Sequence, residues 1–142
     1  MATAPDDELA ESLVHLFREM DGLFSTVSRE AGLTPQQAQL LCHAQHTRPS
    51  FTELAALLHC DKTNITGLVD RLQRRDLLTR RPDPHDRRIT RVHLTPEGET
   101  LTTAFQQSVN AAVATRFTAW PAARRATLTQ ALTGATSALR GD

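Results

Sequence analysis

The sequence has few groups that could cross-link the chain. Its 142 residues include only two cysteines, Cys42 and Cys60, and their spacing does not form a CxxC motif. Two cysteines are too few for the disulfide framework of a small secreted domain. We therefore interpret both side chains as thiols.

Long apolar runs are missing as well. No stretch approaches the roughly 18 uninterrupted apolar residues that a membrane span needs. The acidic segment MATAPDDELAES lacks the basic start and the apolar run of a secretory signal. A composition of 39% hydrophobic and 23% charged residues is typical of a soluble globular chain, and 142 residues suit one domain. We expect a cytoplasmic protein that does not bind membranes.

Sequence motifs of enzymes are also absent. There is no Ser/His/Asp order, no glycine-rich phosphate loop and no HExxH motif, and the six histidines are scattered. We expect neither an enzymatic activity nor a cofactor.

One group of metal-ligating residue types does occur, in the order Cys42-His43-x-x-His46. Zinc needs three or four converging ligands, and the missing ones would have to come from elsewhere, such as Glu53, His15 or His93. We interpret the two histidines as helix-surface residues and expect no metal. A metal-sensing protein, or an oxidant sensor that uses Cys42 or Cys60, stays an alternative.

The net charge is zero, but the charges are unevenly placed. Residues 61–93 hold nine Lys or Arg against five Asp, whereas the rest of the chain holds seven basic and eleven acidic residues. A basic segment on an acidic body orients a protein towards a polyanion by one face.

Two long helical regions flank this segment. Apolar residues recur at three- and four-residue steps over about 5–31, where Gly32 can end the helix in the left-handed conformation. Helices with the same apolar spacing are predicted over about 96–140, interrupted at Trp120-Pro121. These helices carry more apolar surface than one small domain covers. We therefore expect a homodimer.

The region between them, about 34–95, has the pattern of a winged helix-turn-helix. Thr34 and Ser50 each begin a capping box, and Asp61 can cap a further helix after a break at residues 59–61. Strand-like segments at 77–81 and 88–94 flank the proline-interrupted residues 82–87. They predict a β-hairpin wing with a bulge or an edge position at Ile89. The predicted fold is mainly α-helical with this small hairpin.

The second helix of a helix-turn-helix enters the DNA major groove. Its side chains here suit that task, because Asn can pair with adenine, Lys with guanine or phosphate, and Thr with thymine, while Arg binds phosphate. The predicted DNA-contacting residues of this helix are Lys62, Thr63, Asn64, Thr66, Gly67, Arg71, Arg74 and Arg75. The alternative is that the small polar residues only fill a first helical turn, where they are common.

The wing carries a second arginine cluster. Prolines at 82 and 84 stiffen a tip that projects Arg87 and Arg88, and a narrow minor groove attracts inserted arginines. We expect Asp86 to brace Arg88 through a charge-assisted hydrogen bond. The alternative is an exposed loop with a surface salt bridge worth at most about 1 kcal/mol.

The stretch FTELAALLHCDKTNITGLVDRLQRRDLLTRRPDPHDRRITRVHLTPEG, residues 51–98, resembles the winged helix-turn-helix of the MarR family of bacterial transcription regulators. The resemblance lies in LVDRLQRR, in Asp-Arg-Arg at 86–88 and in LTPEG. It implies a homodimer with interlocked first and last helices, recognition helices in two adjacent major grooves of double-stranded DNA, and wings in the minor grooves. Arg88 then takes the place of the minor-groove arginine and Asp86 that of its bracing acid.

The resemblance also implies regulation. Such proteins usually repress by covering a promoter, until a small, often aromatic, effector or an oxidant changes the spacing of the two lobes. The implied effector pocket would include Leu13, Phe17, Leu41 and His43. Two positions depart from the family pattern: Gly67 replaces a common basic residue, and Asp76 replaces the glycine that usually ends the recognition helix. A winged-helix module that binds a protein partner is the other function we weigh.

Overall fold

The structure is a computed structural model that describes residues 4–142. Six helices and one two-stranded sheet follow in the order α1 Pro5–Glu30, α2 Pro35–His46, α3 Phe51–Leu57, α4 Lys62–Arg74, β1 Leu78–Pro82, β2 Thr90–Leu94, α5 Pro96–Arg116 and α6 Ala122–Arg140. The predicted mainly α-helical fold with a single hairpin is confirmed. Among these residues no helix combines the length and apolar character needed to cross a bilayer.

The chain forms two compact units. The first ends at Val109 and the second runs from Asn110 to Asp142, so that the boundary falls within α5. The core of the first unit is aliphatic, and its largest fully buried apolar side chains are Leu40, Leu41, Leu54, Ile65, Val69, Leu72, Leu78 and Val92. In the second unit, Phe117 and Trp120 form an edge-to-face pair, and Arg124 stacks on the Trp120 ring with 3.6 Å between the guanidinium carbon and the ring centroid.

Reciprocal capping boxes set the starts of α2 and α3, as predicted. The Gln37 amide N–H donates to Thr34 Oγ1 at 3.2 Å, and the Thr34 N–H donates to Gln37 Oε1 at 3.1 Å. Ser50 and Glu53 repeat the arrangement at 3.1 and 2.9 Å. These side chains satisfy donors that a helix start would otherwise leave without partners.

The helix ends also follow the sequence. Gly32 has φ of 73°, and the Leu33 N–H donates to the Ser28 carbonyl, which is the Schellman arrangement that ends α1. Asp76 adopts the left-handed conformation after α4, with φ of 58°, in the place where the family pattern has glycine. His59 does the same at the break between α3 and α4, with φ of 52°.

The hairpin is regular, so of the two possibilities predicted at Ile89 the bulge is wrong. The antiparallel register runs without interruption from Leu78 opposite Leu94 to Pro82 opposite Thr90. Ile89 precedes β2, and its backbone closes the loop, because its carbonyl accepts a bond from the Asp83 N–H at 2.8 Å. The strands also start and end one or two residues later than predicted, except at Leu94.

A single glycine permits the close approach between the hairpin and α5. A Cβ on Gly98 would lie 1.9 Å from the Leu77 carbonyl oxygen, so only glycine fits. Thr95 reinforces the junction, because its hydroxyl donates to the Asp76 carbonyl at 2.6 Å and accepts from the Gly98 N–H at 3.0 Å. This contact fixes where α5 leaves the wing.

We therefore predict that Gly98→Ala destabilises the protein by about 1–3 kcal/mol, the usual cost of overpacking a tight contact. The matched control is Gly67→Ala in α4, where the added methyl meets only the Arg71 side chain at 3.8 Å. That change should instead stabilise the chain by up to about 1 kcal/mol, since alanine favours a helix over glycine. Urea denaturation of both variants measures the difference, and equal effects would contradict the assignment of the Gly98 contact.

Candidate nucleic-acid interface

Helix α4 has one buried and one exposed side. Ile65, Leu68, Val69 and Leu72 face the core, which leaves the polar residues of its first turns in solvent. Asp61 caps the helix and accepts the Asn64 N–H at 2.8 Å. Lys62, Thr63, Asn64 and Thr66 are all exposed and lie within the first two turns, so the structure brings the predicted base-contacting residues together.

Contacts within α4 change the surface that Thr66 and Arg71 present. The Thr66 hydroxyl donates to the Lys62 carbonyl at 2.9 Å, which leaves its oxygen lone pair and its methyl group to face a ligand. The Arg71 guanidinium lies beside Gly67, with Nη1 3.8 Å from where a Cβ would stand. The Arg71 guanidinium, one turn later, thus fills part of the space that Gly67 leaves without a side chain.

Arg74 and Arg75 differ in their roles. Both were predicted to contact DNA, and Arg74 is exposed without a hydrogen-bond or ion-pair partner in residues 4–142. The Arg75 Nη1 instead donates to the Gly32 carbonyl at 2.8 Å. This bond ties the end of α4 to the end of α1, which gives Arg75 an internal structural role that its exposed position in a basic helix did not indicate.

The wing tip contains the expected brace. Arg88 Nε and Nη2 donate to the two carboxylate oxygens of Asp86, each at 3.0 Å, and the Arg88 backbone N–H adds a bond of 3.1 Å. These bonds lower the pKa of Asp86 and raise that of Arg88, because each partner stabilises the charged form of the other. The Arg88 side chain is nevertheless 90% exposed. A fixed guanidinium thus stands in solvent beside Arg87, which is exposed and has no partner in the described chain.

A second carboxylate, Asp83, holds the base of the tip. One of its oxygens accepts the backbone N–H groups of His85 and Asp86 at 2.7 and 2.9 Å, and the other pairs with Arg91 Nε. The ion pair with Arg91 and these backbone bonds lower the pKa of Asp83 to about 2. We did not identify Asp83 or Arg91 as site residues from the sequence. Asp-Pro-His-Asp is a turn sequence in which the first Asp can bond its own backbone, and that signal was available for Asp83.

Arg91 extends this network to the helix-turn-helix. Its Nη1 donates to the Arg48 carbonyl at 2.9 Å and to Glu53 Oε2 at 3.3 Å. The same Glu53 oxygen accepts the Ser50 N–H in the capping box of α3. The Arg91 guanidinium therefore joins the wing to the start of α3, in addition to the backbone bond from the Val92 N–H to the Pro49 carbonyl at 2.9 Å.

A further arginine connects the hairpin to α4. Arg80 pairs with Asp70 on α4, and its guanidinium carbon lies 5.5 Å from the centroid of the Phe51 ring. Cation–π and ionic contacts together orient β1 against both helices of the helix-turn-helix. Arg80 and Asp70 were also absent from the sequence-based prediction, because their pairing depends on how the strand crosses the helix.

The four residues of the predicted effector pocket differ in how far they are buried. Leu41 is fully buried in the core, Leu13 and His43 are partly exposed, and the Phe17 side chain is 68% exposed. None of the four lines the large hollow of the first unit, which lies next to the hairpin. The pocket stays a prediction.

The two thiols are free and partly buried. Burial raises the pKa of Cys42, which lowers its thiolate fraction and hence its reactivity towards oxidants. Within residues 4–142, no three His, Cys, Asp or Glu side chains are grouped so that they could hold a metal ion.

The Asp83 network predicts a pH-dependent stability. Its folded pKa of about 2 lies below the ordinary 3.8, so its stabilising effect is complete above pH 3.8 and is lost as the pH falls towards 2. Asp83→Asn should therefore lower the free energy of unfolding at pH 7, and the deficit should shrink below pH 3.8. Denaturant titrations at several pH values measure it. Asp21→Asn is the control, since Asp21 is exposed and without a partner in the described residues, and a deficit independent of pH would count against the ion pair.

Comparisons with known proteins match this arrangement. Residues 33–90 match the sequence model of the MarR family. The chain is 43% identical over 49 residues to YsmB of Bacillus subtilis, an uncharacterized HTH-type transcriptional regulator, with 34% of each chain covered. It is 31% identical over 99 residues to the HTH-type transcriptional repressor NicR of Pseudomonas putida, covering 66% of this chain and 63% of NicR. The chain thus spans less than two thirds of the length of these curated relatives.

A solved structure extends the similarity to nearly the whole chain. CouR of Rhodococcus jostii RHA1, determined bound to p-coumaroyl-CoA, superposes with a TM-score of 0.80 and 25% sequence identity. The match covers 97% of this chain and 95% of the CouR chain. The elements of both units therefore have counterparts in a solved structure.

Proposed function

Because residues 33–90 match the MarR family, we propose that the chain is a member of that family and a sequence-specific, double-stranded DNA-binding transcription regulator that acts as a homodimer. The observation that carries this proposal is the Asp86–Arg88 pair, a guanidinium held in one orientation and yet 90% exposed at the tip of the wing. An ion pair in solvent contributes little to stability. Its geometry is better explained by a ligand that the arginine meets.

The wing is suited to the minor groove. A side chain that is already fixed loses less conformational entropy on binding, and the narrow groove concentrates negative potential on an inserted arginine. Asp86 binds the Nε/Nη2 edge of the Arg88 guanidinium and leaves Nη1 free to meet acceptors on DNA. Arg87 adds a second positive charge for the flanking phosphates.

Helix α4 is suited to the major groove. Its exposed first turns carry Lys62, Thr63, Asn64 and Thr66, whose donors and acceptors match base edges. Arg71 and Arg74, further along the helix, are placed to meet phosphates. The Arg80 contacts to Asp70 and Phe51 hold helix and wing as one reading surface.

A second copy of the chain would cover the apolar residues that each unit leaves exposed. In α1 of the first unit, Leu9, Leu16, Phe17 and Met20 are exposed. In the second unit, α6 has no buried residue, and its Leu139 is 77% exposed. Exposure of this extent along regular helices supports a homodimer formed by residues 5–31 and 96–140, with residues 34–95 as the DNA-binding lobe.

The similarity to NicR, a repressor, and to CouR, which binds p-coumaroyl-CoA, supports a repressor that responds to a small-molecule effector. We place the regulator in the cytoplasm and assign it no enzymatic activity and no cofactor. The effector pocket implied by the family likeness would use Leu13, Phe17, Leu41 and His43. The exposed ring of Phe17 is then available to an effector or to the partner subunit.

Removing the wing arginine tests the proposal. Arg88→Ala should weaken binding to the operator, sought first in DNA upstream of the protein's own gene, by about ten- to a hundredfold, since one such contact is worth about 1–3 kcal/mol. Electrophoretic mobility shift with excess unrelated competitor DNA, at two salt concentrations, measures it. Thermal unfolding should stay unchanged, because the side chain is exposed.

Arg29→Ala, which removes one exposed arginine from α1, is the control and should bind DNA as the parent does. If no operator is found even by selection from random duplexes, and binding to a protein partner is insensitive to salt, the chain is a protein-binding winged helix and the proposal fails.

Removal of the bracing acid should weaken binding to the operator, although the change in charge alone would strengthen it. Asp86→Asn removes a negative charge from the wing, which by charge alone should tighten DNA binding. If Asp86 orients Arg88, the variant should instead bind the operator several-fold more weakly. Binding to non-specific DNA should stay equal or become tighter. The ratio of the two affinities distinguishes the cases, and tighter binding to both DNAs would argue against a bracing role.

A further inference from the structure

A hollow of about 920 Å³ lies in the first unit, between the end of α2, the hairpin and the start of α5. Its lining includes Arg48, Arg81, Arg91, His93 and Glu99. The volume lies within the range of small-molecule sites. None of the residues assigned to DNA binding or to the effector pocket lines this hollow.

The hairpin presents one face to the hollow. Arg81 lies directly opposite Arg91 in the antiparallel register, and His93 follows two residues later on the same face. Like charges opposite each other on neighbouring strands destabilise a sheet. Asp83 offsets Arg91 through its ion pair, but no group in the described chain pairs with Arg81.

The other walls add the positive charge of Arg48 and the negative charge of Glu99. Arg48, at the end of α2, uses its backbone carbonyl for Arg91, while its guanidinium has no partner among residues 4–142. Burial lowers the pKa of His93, and the positive charges of Arg81, Arg48 and Arg91 lower it further. All three guanidinium groups therefore act on the space next to this imidazole. Of the two acids, Asp83 is engaged by Arg91, and Glu99 lies 3.4 Å from the Gln45 amide nitrogen.

We propose that this hollow binds a small organic anion, a carboxylate or phosphate ester on a compact apolar body, with Arg48 and Arg81 as its charge partners. Guanidinium groups are the preferred partners of planar carboxylates and of phosphates. Ala44, Pro82, Pro84 and Leu94 supply apolar surface in the same lining. A fully polar ion such as inorganic phosphate would leave that surface unused.

The site is connected to the wing through Arg91. This side chain lines the hollow and also pairs with Asp83, which holds the backbone of His85 and Asp86 at the tip. A bound anion would compete with Asp83 for Arg91 and would add negative charge beneath the wing. Both effects weaken DNA binding. This consequence rests on the proposed function, whereas the binding of the anion does not.

Calorimetric titration of the full chain without DNA tests the site, with phenyl phosphate and benzoate as probes in a buffer free of other organic anions. We expect saturable binding of at least one probe, weaker by about tenfold or more in Arg48→Gln and in Arg81→Gln, because each loses a charge-assisted hydrogen bond. Arg29→Gln is the matched control, with the same charge change outside the hollow. The imidazole proton resonances of His93 should shift during the titration.

Each outcome of these titrations either supports or overturns the proposed site. No saturable binding of either probe up to about 10 mM, where even a millimolar site would fill, overturns the proposal. Equal affinities in all variants overturn it as well. If the two hollow variants lose operator affinity while the parent binds neither probe, the arginines contact DNA phosphates and the site does not exist. Anion binding without any DNA affinity would support the site and reject the regulator function instead.

Discussion

The wing depends on one carboxylate. Asp83 accepts two backbone N–H groups at the tip and an ion pair from Arg91, and Arg91 in turn bonds the Arg48 carbonyl and Glu53. This chain of contacts joins the tip to the start of α3, which lies before α4 and β1 in the sequence. A two-stranded hairpin on its own is marginally stable, so its direction has to come from such tertiary contacts.

The contacts predicted from the sequence join residues that are close together in the chain. The capping boxes at Thr34 and Ser50 and the Asp86–Arg88 brace each join residues two or three positions apart, and residue types alone indicate them. The missed contacts cross larger distances: Arg80 to Asp70 spans 10 residues and Arg75 to Gly32 spans 43. The partner of each arginine in a basic segment depends on how strands and helices cross, and no local pattern contains that information.

The long-range contacts of the arginines reduce the number of basic side chains that are free to bind a polyanion. Residues 61–93 hold nine Lys or Arg, but Arg75, Arg80 and Arg91 are bound to groups of the chain itself. They hold the helix-turn-helix and the wing together. The cations left for a polyanion are fewer than the count indicates, and they lie along α4 and on the wing. The salt dependence of the proposed DNA binding would reflect the number of phosphates neutralised, so it should follow this smaller number of cations.

The tip of the hairpin and its strands contribute to different surfaces, and Asp83 contacts both. The tip projects Arg88 into solvent, while the strands direct Arg81, Arg91 and His93 into the hollow beside α2. Asp83 belongs to both, since it orders the tip and neutralises Arg91. Coupling between sites needs a physical element that both can bias, and Asp83 is such an element. An anion bound in the proposed site would therefore act on the tip through this carboxylate.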